Sequence, residues 1–180
     1  MMKPTTRQIE EIKLFAGAKY DGLHHTHGAN HAQRTVKLAA YIAQQETANQ
    51  TICELGALLH QYHPEGVSEV REFLESIEVE EPLQSQLIEC VECSEPDAIS
   101  DGCSLEAKVV FDADKLQTLG PFGLLREVVY RVETLKLSFM DAYFQSKLLQ
   151  LEMREKLQTK TGNQMASELC RDMNAIYKSI

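Results

Sequence analysis

The spacing of apolar residues is the feature that most constrains how this 180-residue chain can fold. Apolar side chains recur at intervals of three and four positions from the first segment to the last, which is the period of an amphipathic helix. Strand-like alternation never persists beyond about four residues, and the chain shows no internal repeats or low-complexity linkers. The pattern therefore predicts a single all-α globular domain, a bundle of about eight or nine helices.

Capping and turn residues divide this pattern into segments. Thr6 and Ser104 are expected to cap helices, Thr51 and Glu54 to form a capping box, and the Thr161-Gly162 pair to interrupt the C-terminal helices. The predicted helices cover residues 6–20, 29–43, 52–62, 68–74, 82–91, 105–119, 122–135, 139–157 and 164–176. Within the domain, spanning 1–180, we expect a flexible N-terminus at 1–5, a His-rich loop at 21–30 and a polar loop at 94–103.

The charge balance excludes several classes of partner. With 18 Lys and Arg against 27 Asp and Glu, the net charge is −9, which argues against a nucleic-acid polymer or an anionic membrane as partner. No apolar stretch approaches the roughly 18 residues that span a bilayer. The N-terminal segment also lacks the apolar core of a signal peptide. We therefore expect a cytoplasmic protein.

Cysteine usage carries little functional information. Five cysteines, an odd number, predict reduced thiols. Cys90 and Cys93 form a C-x-x-C that is either half of a zinc site or ordinary helix packing. We favour packing, because a second cysteine pair is missing and buried free cysteine behaves as a small hydrophobic residue.

Three polar residues stand where the apolar pattern predicts burial. His60 ends an apolar run, and Asp112 and Asp114 lie inside another. A buried carboxylate is costly unless it meets a cation, a metal or several donors, so these groups are expected to find one another. His31, near the start of its helix, can supply a second imidazole, and two imidazoles with one carboxylate suit a first-row divalent metal. A satisfied polar core is the alternative interpretation.

Three segments carry a family resemblance. They are HAQRTV at 31–36, GALLHQ at 56–61 and DADKL at 112–116, the last followed by Gly120, Gly123 and Arg126. In this order they resemble the His, the His-Asp doublet and the distant Asp of the HD-domain superfamily of metal-dependent phosphohydrolases, and most closely its small bacterial single-domain branch. The likeness extends over nearly the whole chain from about residue 10.

The resemblance implies a site with one conspicuous substitution. It assigns His31, His60 and Asp114 as metal ligands and, with Gln61, as catalytic residues, and the implied cofactor is one divalent ion of Mn, Fe, Co, Ni, Zn or Mg. Gln61 replaces the Asp of the doublet, so the site loses a negative charge and is expected to be degenerate, at most mononuclear, or free of metal. The absence of His beyond His63 argues against a second metal ion.

The same resemblance suggests residues around the metal. Lys115, Arg126, Arg34 and His27 are expected to bind substrate phosphate, because Arg and Lys neutralise phosphoryl oxygens. Asp112 is expected to orient a ligand His, and His63, one helical turn beyond His60, to compensate partly for the missing carboxylate.

The implied function is hydrolysis of a nucleotide or another small phosphorylated metabolite. Because of Gln61, two alternatives stay open: a metal-free enzyme that uses His and Asp for acid–base chemistry, and a non-catalytic ligand-binding protein of the same fold. The chain is expected to be a monomer or a homodimer. The role of the His24, His25 and His27 cluster is also open.

Overall fold

The computed structural model of the chain describes residues 3–178, which form ten α-helices, nine of them at least seven residues long. In chain order these are α1 (Thr6–Asp21), α2 (Ala29–Glu46), α3 (Gln50–Leu59), α4 (Val67–Ser76), α5 (Glu81–Glu92), α6 (Leu105–Lys115), α7 (Gly120–Glu133), α8 (Phe139–Lys156), α9 (Lys160–Leu169) and α10 (Met173–Lys178). Short 3-10 helices, His60–Tyr62 and Leu116–Thr118, directly follow α3 and α6. The predicted all-α single domain is confirmed. The predicted flexible segment 1–5 begins outside the described residues and stays a prediction.

Helix α3 is the centre of the bundle. It packs against α1, α2, α5 and α6, and most of its side chains, such as Ile52 and Leu59, are buried. Gly56 allows α5 to approach closely, because a Cβ atom there would lie 2.7 Å from Cβ of Cys90. A helix that is apolar on nearly all sides must be buried, so its C-terminal end, which carries His60, lies inside the domain.

Several predicted helix ends are corrected by the structure. Ser104 caps α6 as predicted, accepting a hydrogen bond from the Ala107 N–H at 3.3 Å. The cap of α1 is Thr5 rather than Thr6, and the cap of α3 is Asn49 rather than Thr51. In both cases the predicted residue already lies within the helix, whereas a cap needs extended backbone angles and a free side-chain oxygen.

The C-terminal break is also displaced. The chain leaves α8 before Thr159, and Thr159 caps α9 by accepting from the Gly162 N–H at 2.9 Å. The prediction that Thr161 and Gly162 interrupt the helices was wrong, because both lie in the first turn of α9. Gly162 serves close packing there, since a Cβ atom would lie 2.9 Å from Cγ of Asp112.

Two cysteines differ from the prediction of reduced thiols. Cys90 is fully buried in the core as predicted, but Cys93 forms a disulfide with Cys103. Cys93 follows the last residue of α5, so it lies beside the 94–103 loop, with its Cα atom 6.7 Å from that of Cys103. This spacing lies within the range that a disulfide bridges. Within residues 3–178, none of the helices has the length and apolar character needed to cross a membrane.

Candidate active site

Three buried side chains from distant parts of the chain converge near the centre of the bundle. His31 Nε2 lies 3.1 Å from Asp114 Oδ1 and 3.3 Å from His60 Nε2, and His60 Nε2 lies 3.5 Å from the same Asp114 oxygen. They are supplied by the start of α2, the 3-10 turn after α3 and the last turn of α6. The structure thus brings together the three residues that the sequence predicted as metal ligands.

The ring of His60 has a defined tautomer. Its Nδ1 lies 2.7 Å from the Ala57 carbonyl oxygen, which can only accept, so Nδ1 carries the proton. The lone pair of Nε2 therefore points at the other members of the cluster. A backbone carbonyl that holds one nitrogen of a ring while the other faces a shared centre is the usual arrangement of a metal-ligating histidine.

The ring of His31 has a partner in either tautomer. Its Nδ1 lies 3.1 Å from Gln117 Oε1, which accepts, and 3.2 Å from Arg126 Nη1, which donates. If Nδ1 carries a proton, it donates a hydrogen bond to Gln117 Oε1. If Nδ1 is unprotonated, it accepts a hydrogen bond from Arg126 Nη1. Burial lowers the pKa of His31, with Asp114 opposing the shift. A neutral imidazole with a supported lone pair on Nε2 is what metal binding requires.

Gln117 is a residue that the sequence analysis missed. Its amide nitrogen donates to Thr35 Oγ1 at 2.6 Å, and its oxygen accepts from Arg34 Nε at 2.9 Å as well as facing His31. Arg34, predicted to bind phosphate, is thus directed to Gln117, and its guanidinium also lies over the Phe122 ring. A lone Gln three positions beyond Asp114 has no recognisable pattern, so only the folded structure identifies it.

Asp114 is ionised despite its burial. Burial alone would raise the pKa of this carboxyl, but Lys115 and the two imidazoles outweigh it and hold the pKa well below its usual range. Lys115 Nζ lies 2.8 Å from Asp114 Oδ2. Burial also works against the charge on Lys115, yet Asp114 and Glu95 raise the pKa of the ammonium group. One carboxylate oxygen therefore faces a cation and the other faces the two histidines.

The side chain of Gln61 completes the cluster. Its amide nitrogen lies 3.0 Å from His60 Nε2 and 3.4 Å from His31 Nε2. In a tetrahedral zinc site with bonds of about 2.0 Å, neighbouring ligand atoms lie about 3.3 Å apart. The separations among His31, His60 and Asp114 fit this value, and the donor set is one that first-row metals accept. The residues present therefore fit a single divalent ion.

A cavity of about 290 Å³ opens onto this cluster. Gln61, Asp114 and Lys115 line it together with Arg126 and His27. The cavity shares further lining residues with an adjoining one of about 600 Å³, namely Glu95, Pro96, Leu149 and Met153. His63, predicted to support the metal, instead lines the adjoining cavity, and among the described residues its buried Nδ1 has no hydrogen-bond partner.

Arg126 is the second cation of the cavity, and it is almost completely buried. Its Nη1 donates to the Thr26 carbonyl at 3.1 Å, and its Nη2 pairs with Glu127 at 2.9 Å. Within the described part of the chain, its buried Nε has no partner. Thr26 and Glu127 were not identified from the sequence, because one is an ordinary loop residue and the other an ordinary helical carboxylate. Both hold the guanidinium in place.

His27 is a neutral side chain at the cavity wall. Burial, followed by the charges of Arg126 and His31, lowers its pKa to about 3. Its Nδ1 lies 2.9 Å from Thr26 Oγ1. At neutral pH the ring offers one donor and one acceptor, so it can contact a phosphoryl oxygen only as a hydrogen-bond donor.

Asp112 lies away from the two imidazoles. Its oxygens accept hydrogen bonds at 2.8 Å from the Gln158 and Thr159 N–H groups and at 2.6 Å from the Thr159 hydroxyl. Positions two apart on a helix point in directions about 200° apart, so Asp112 faces α9 when Asp114 faces the cavity. The predicted orienting role does not match this placement. Asp112 instead fastens the start of α9 to α6.

No family model matches the chain. YpgQ of Bacillus subtilis is 28% identical over 179 residues, which is 90% of this chain and 86% of YpgQ.

Solved structures show the same fold. The crystal structure of YpgQ in complex with ADP aligns with a TM-score of 0.76 at 25% identity, covering 96% of this chain and 93% of that one. A Lactobacillus plantarum protein aligns with a TM-score of 0.80 at 21% identity, covering 97% and 95%. An HD-superfamily hydrolase from Bacillus thuringiensis aligns with a TM-score of 0.71 at 22% identity, covering 96% and 94%. The chain therefore has the HD-superfamily hydrolase fold, in the form found in small bacterial proteins similar to YpgQ.

Proposed function

We propose that this chain is a metal-dependent phosphohydrolase of the bacterial cytoplasm that acts on a nucleotide or another small phosphorylated metabolite. In this proposal His31, His60 and Asp114 hold one divalent ion. Lys115 and Arg126 bind the phosphate, His27 donates a hydrogen bond to it, and Gln61 stands beside the ion.

The ligand cluster is the observation that carries the proposal. Two nitrogen lone pairs and one ionised oxygen lie 3.1–3.5 Å from one another at a buried position, and each is held by a further partner. His60 directs its lone pair towards a second imidazole and a carboxylate, which is the arrangement expected of a metal-ligating histidine. A divalent ion bound there would polarise a phosphoryl oxygen and lower the pKa of a bound water.

The cations supply the binding energy for an anionic group. Lys115 and Arg126 line the same cavity as Asp114, and both are more than nine-tenths buried. Charge-assisted hydrogen bonds in such a water-poor site are stronger than at the surface.

The size of the cavities favours a nucleotide. The 290 Å³ cavity has room for a phosphate beside the cluster, and the adjoining 600 Å³ cavity has room for the rest of a nucleoside diphosphate. YpgQ, which has the same fold, was crystallised with ADP. We therefore choose ADP as the first substrate to test.

Gln61 supports a second candidate, a metal-free enzyme. Its amide lies within hydrogen-bond distance of both imidazole nitrogens, so the cluster is also a closed hydrogen-bond network without an ion. His31 paired with Asp114 would then serve as an acid–base group.

The experiment measures phosphate release from ADP by the full-length protein with Mn²⁺ or with a chelator. The proposal expects hydrolysis that needs the metal. An Asp114→Asn variant, which removes the charged ligand, is expected to lose about 100-fold or more of that activity. Asp101→Asn makes the same change at an exposed loop position and is expected to behave like the wild type.

Two outcomes would contradict the proposal. Hydrolysis that persists in chelator but disappears in Asp114→Asn would identify the metal-free enzyme. Tight ADP binding without turnover under any metal tested would identify a binding protein.

A further inference from the structure

The His-rich loop between α1 and α2 lies against the last residue of α7. His24 Nε2 is 3.0 Å from Glu133 Oε2, and His25 Nε2 is 3.8 Å from the same oxygen. The side chains are 24%, 67% and 53% exposed for His24, His25 and Glu133. This cluster is separate from the three buried ligands of the candidate active site.

We propose that His24, His25 and Glu133 form a second metal site, which binds one zinc-class transition-metal ion at the surface and ties the loop to α7. The three ligand atoms all lie within 4.8 Å of one another. The two distances to Glu133 Oε2, 3.0 and 3.8 Å, lie on either side of the spacing of about 3.3 Å between ligands in a tetrahedral site. Two imidazoles and a carboxylate suit Zn²⁺, Ni²⁺ and Cu²⁺. Because two of the three side chains are half exposed or more, the remaining coordination position is open to water.

The ring of His24 is already oriented for this task. Its Nδ1 lies 2.8 Å from Thr26 Oγ1 and accepts a hydrogen bond from the Thr26 backbone N–H at 3.4 Å, which leaves Nε2 directed at Glu133. The ring also packs edge-on against Tyr130, at 5.6 Å between centroids. An oriented ring loses less freedom when it binds an ion, and a partner on the distal nitrogen is the usual support of a ligating histidine.

The site connects directly to the cavity of the candidate active site. Thr26 Oγ1 also lies 2.9 Å from His27 Nδ1, and the Thr26 carbonyl accepts from Arg126. When His24 Nε2 binds a metal, its Nδ1 carries a proton, loses the 3.4 Å hydrogen bond from the Thr26 N–H and donates to the Thr26 hydroxyl. The Thr26 hydroxyl has a single proton, so it then donates its hydrogen bond to His27 Nδ1, which must be unprotonated. Occupancy of the surface site therefore sets His27 as an Nε2–H donor and fixes the loop that positions Arg126.

The test counts zinc ions with and without the buried cluster. Calorimetric titration of Zn²⁺ into full-length wild type is expected to show two ions per chain, and into Asp114→Asn one ion. In the Asp114→Asn background, a second substitution, either His25→Ala or Glu133→Gln, is expected to weaken zinc affinity at the remaining site about 100-fold or more. Glu155→Gln, at an exposed position on α8, is the matched control and is expected to leave it unchanged.

Failure of this site is distinguishable from failure of the proposed function. If only the buried site fails to bind zinc, the wild type will bind one ion, and His25→Ala will abolish that binding. Equal zinc affinity in Asp114→Asn with and without His25→Ala would overturn the surface site.

The wild type provides a second measurement that does not depend on Asp114→Asn folding. In NMR spectra of the imidazole rings, Zn²⁺ is expected to shift the signals of His24 and His25 and to place the proton of His27 on Nε2. Unchanged signals of His24 and His25 at saturating zinc would also overturn the proposal.

Discussion

A single methyl group at Gly162 is expected to break the connection between α6 and α9. A Cβ atom there would lie 2.9 Å from Asp112 Cγ and 3.0 Å from Thr159 Oγ1, with Asp112 Oδ2 closer still. The carboxylate must move, and it then loses the Thr159 N–H and hydroxyl, which now lie 2.8 and 2.6 Å from Oδ2. Hydrogen bonds to a buried charge contribute about 1.5–3 kcal/mol each, so Gly162→Ala should lower the free energy of unfolding by about 3–6 kcal/mol.

Urea denaturation followed by circular dichroism measures this change, and Gly17→Ala is the matched control. Gly17 lies inside α1, and a Cβ atom there meets no atom within 4 Å. Alanine is the better helix former, so Gly17→Ala should raise the free energy of unfolding by about 0.5–1 kcal/mol. The two substitutions are chemically identical and are expected to have opposite signs.

A double-mutant cycle tests the assigned cause. In an Asp112→Ala background the carboxylate is absent, so adding Gly162→Ala should lower the free energy of unfolding by less than about 1 kcal/mol. An equal cost in both backgrounds would refute the clash with Asp112. A Gly162→Ala protein as stable as the wild type would refute the reasoning as a whole.

Two further predictions concern buried charge. Burial, partly offset by the hydrogen bonds from Thr159 and Gln158, raises the pKa of Asp112 to about 6. Between pH 4 and 6 the Asp112 carboxyl is protonated in the folded state and ionised in the unfolded state. The contribution of Asp112 to the free energy of unfolding therefore falls by about 3 kcal/mol as the pH rises from 4 to 6. Denaturation of the wild type and of Asp112→Asn at several pH values in this range should show the difference. Equal pH dependence would contradict the shift. Gln61→Asp restores a negative charge beside His31 and His60, so Mn²⁺ affinity measured by calorimetry should rise about tenfold or more, whereas the same change at the exposed Gln33 should have no effect. An unchanged affinity would show that a carboxylate at position 61 does not reach the metal.

The helical pattern predicted most of the architecture because it depends on local properties. Apolar period and capping residues act over a few positions, so the all-α domain and the cap at Ser104 could be predicted directly. The burial of His60, Asp112 and Asp114 could be predicted as well, because apolar neighbours in the sequence occupy the same buried surfaces. The errors at Thr51 and Thr161-Gly162 are shifts of a few residues, where more than one side chain was able to serve as cap.

The sequence could not predict what each buried polar group would contact. Asp112 and Asp114 look alike in an apolar helix, yet one binds the start of α9 and the other faces two histidines. Arg34 has the spacing of a phosphate ligand and instead donates to Gln117. His63 lies near His60 in the sequence, but once the helix ends in a 3-10 turn its ring lines the adjoining cavity, whereas His60 lies in the buried cluster.

The sequence by itself determined the helical class, the buried positions and the His, His and Asp that resemble a metal-binding family. Only the tertiary structure decided that these three meet within 3.5 Å, that Gln61 stands beside them, and that Gln117, Thr26 and Glu127 hold them and Arg126 in place. The reason is physical. A helical period fixes which side of a helix is buried, but the partner of a buried group comes from another helix, often 80 or more residues away in the chain, and is set by how the helices pack.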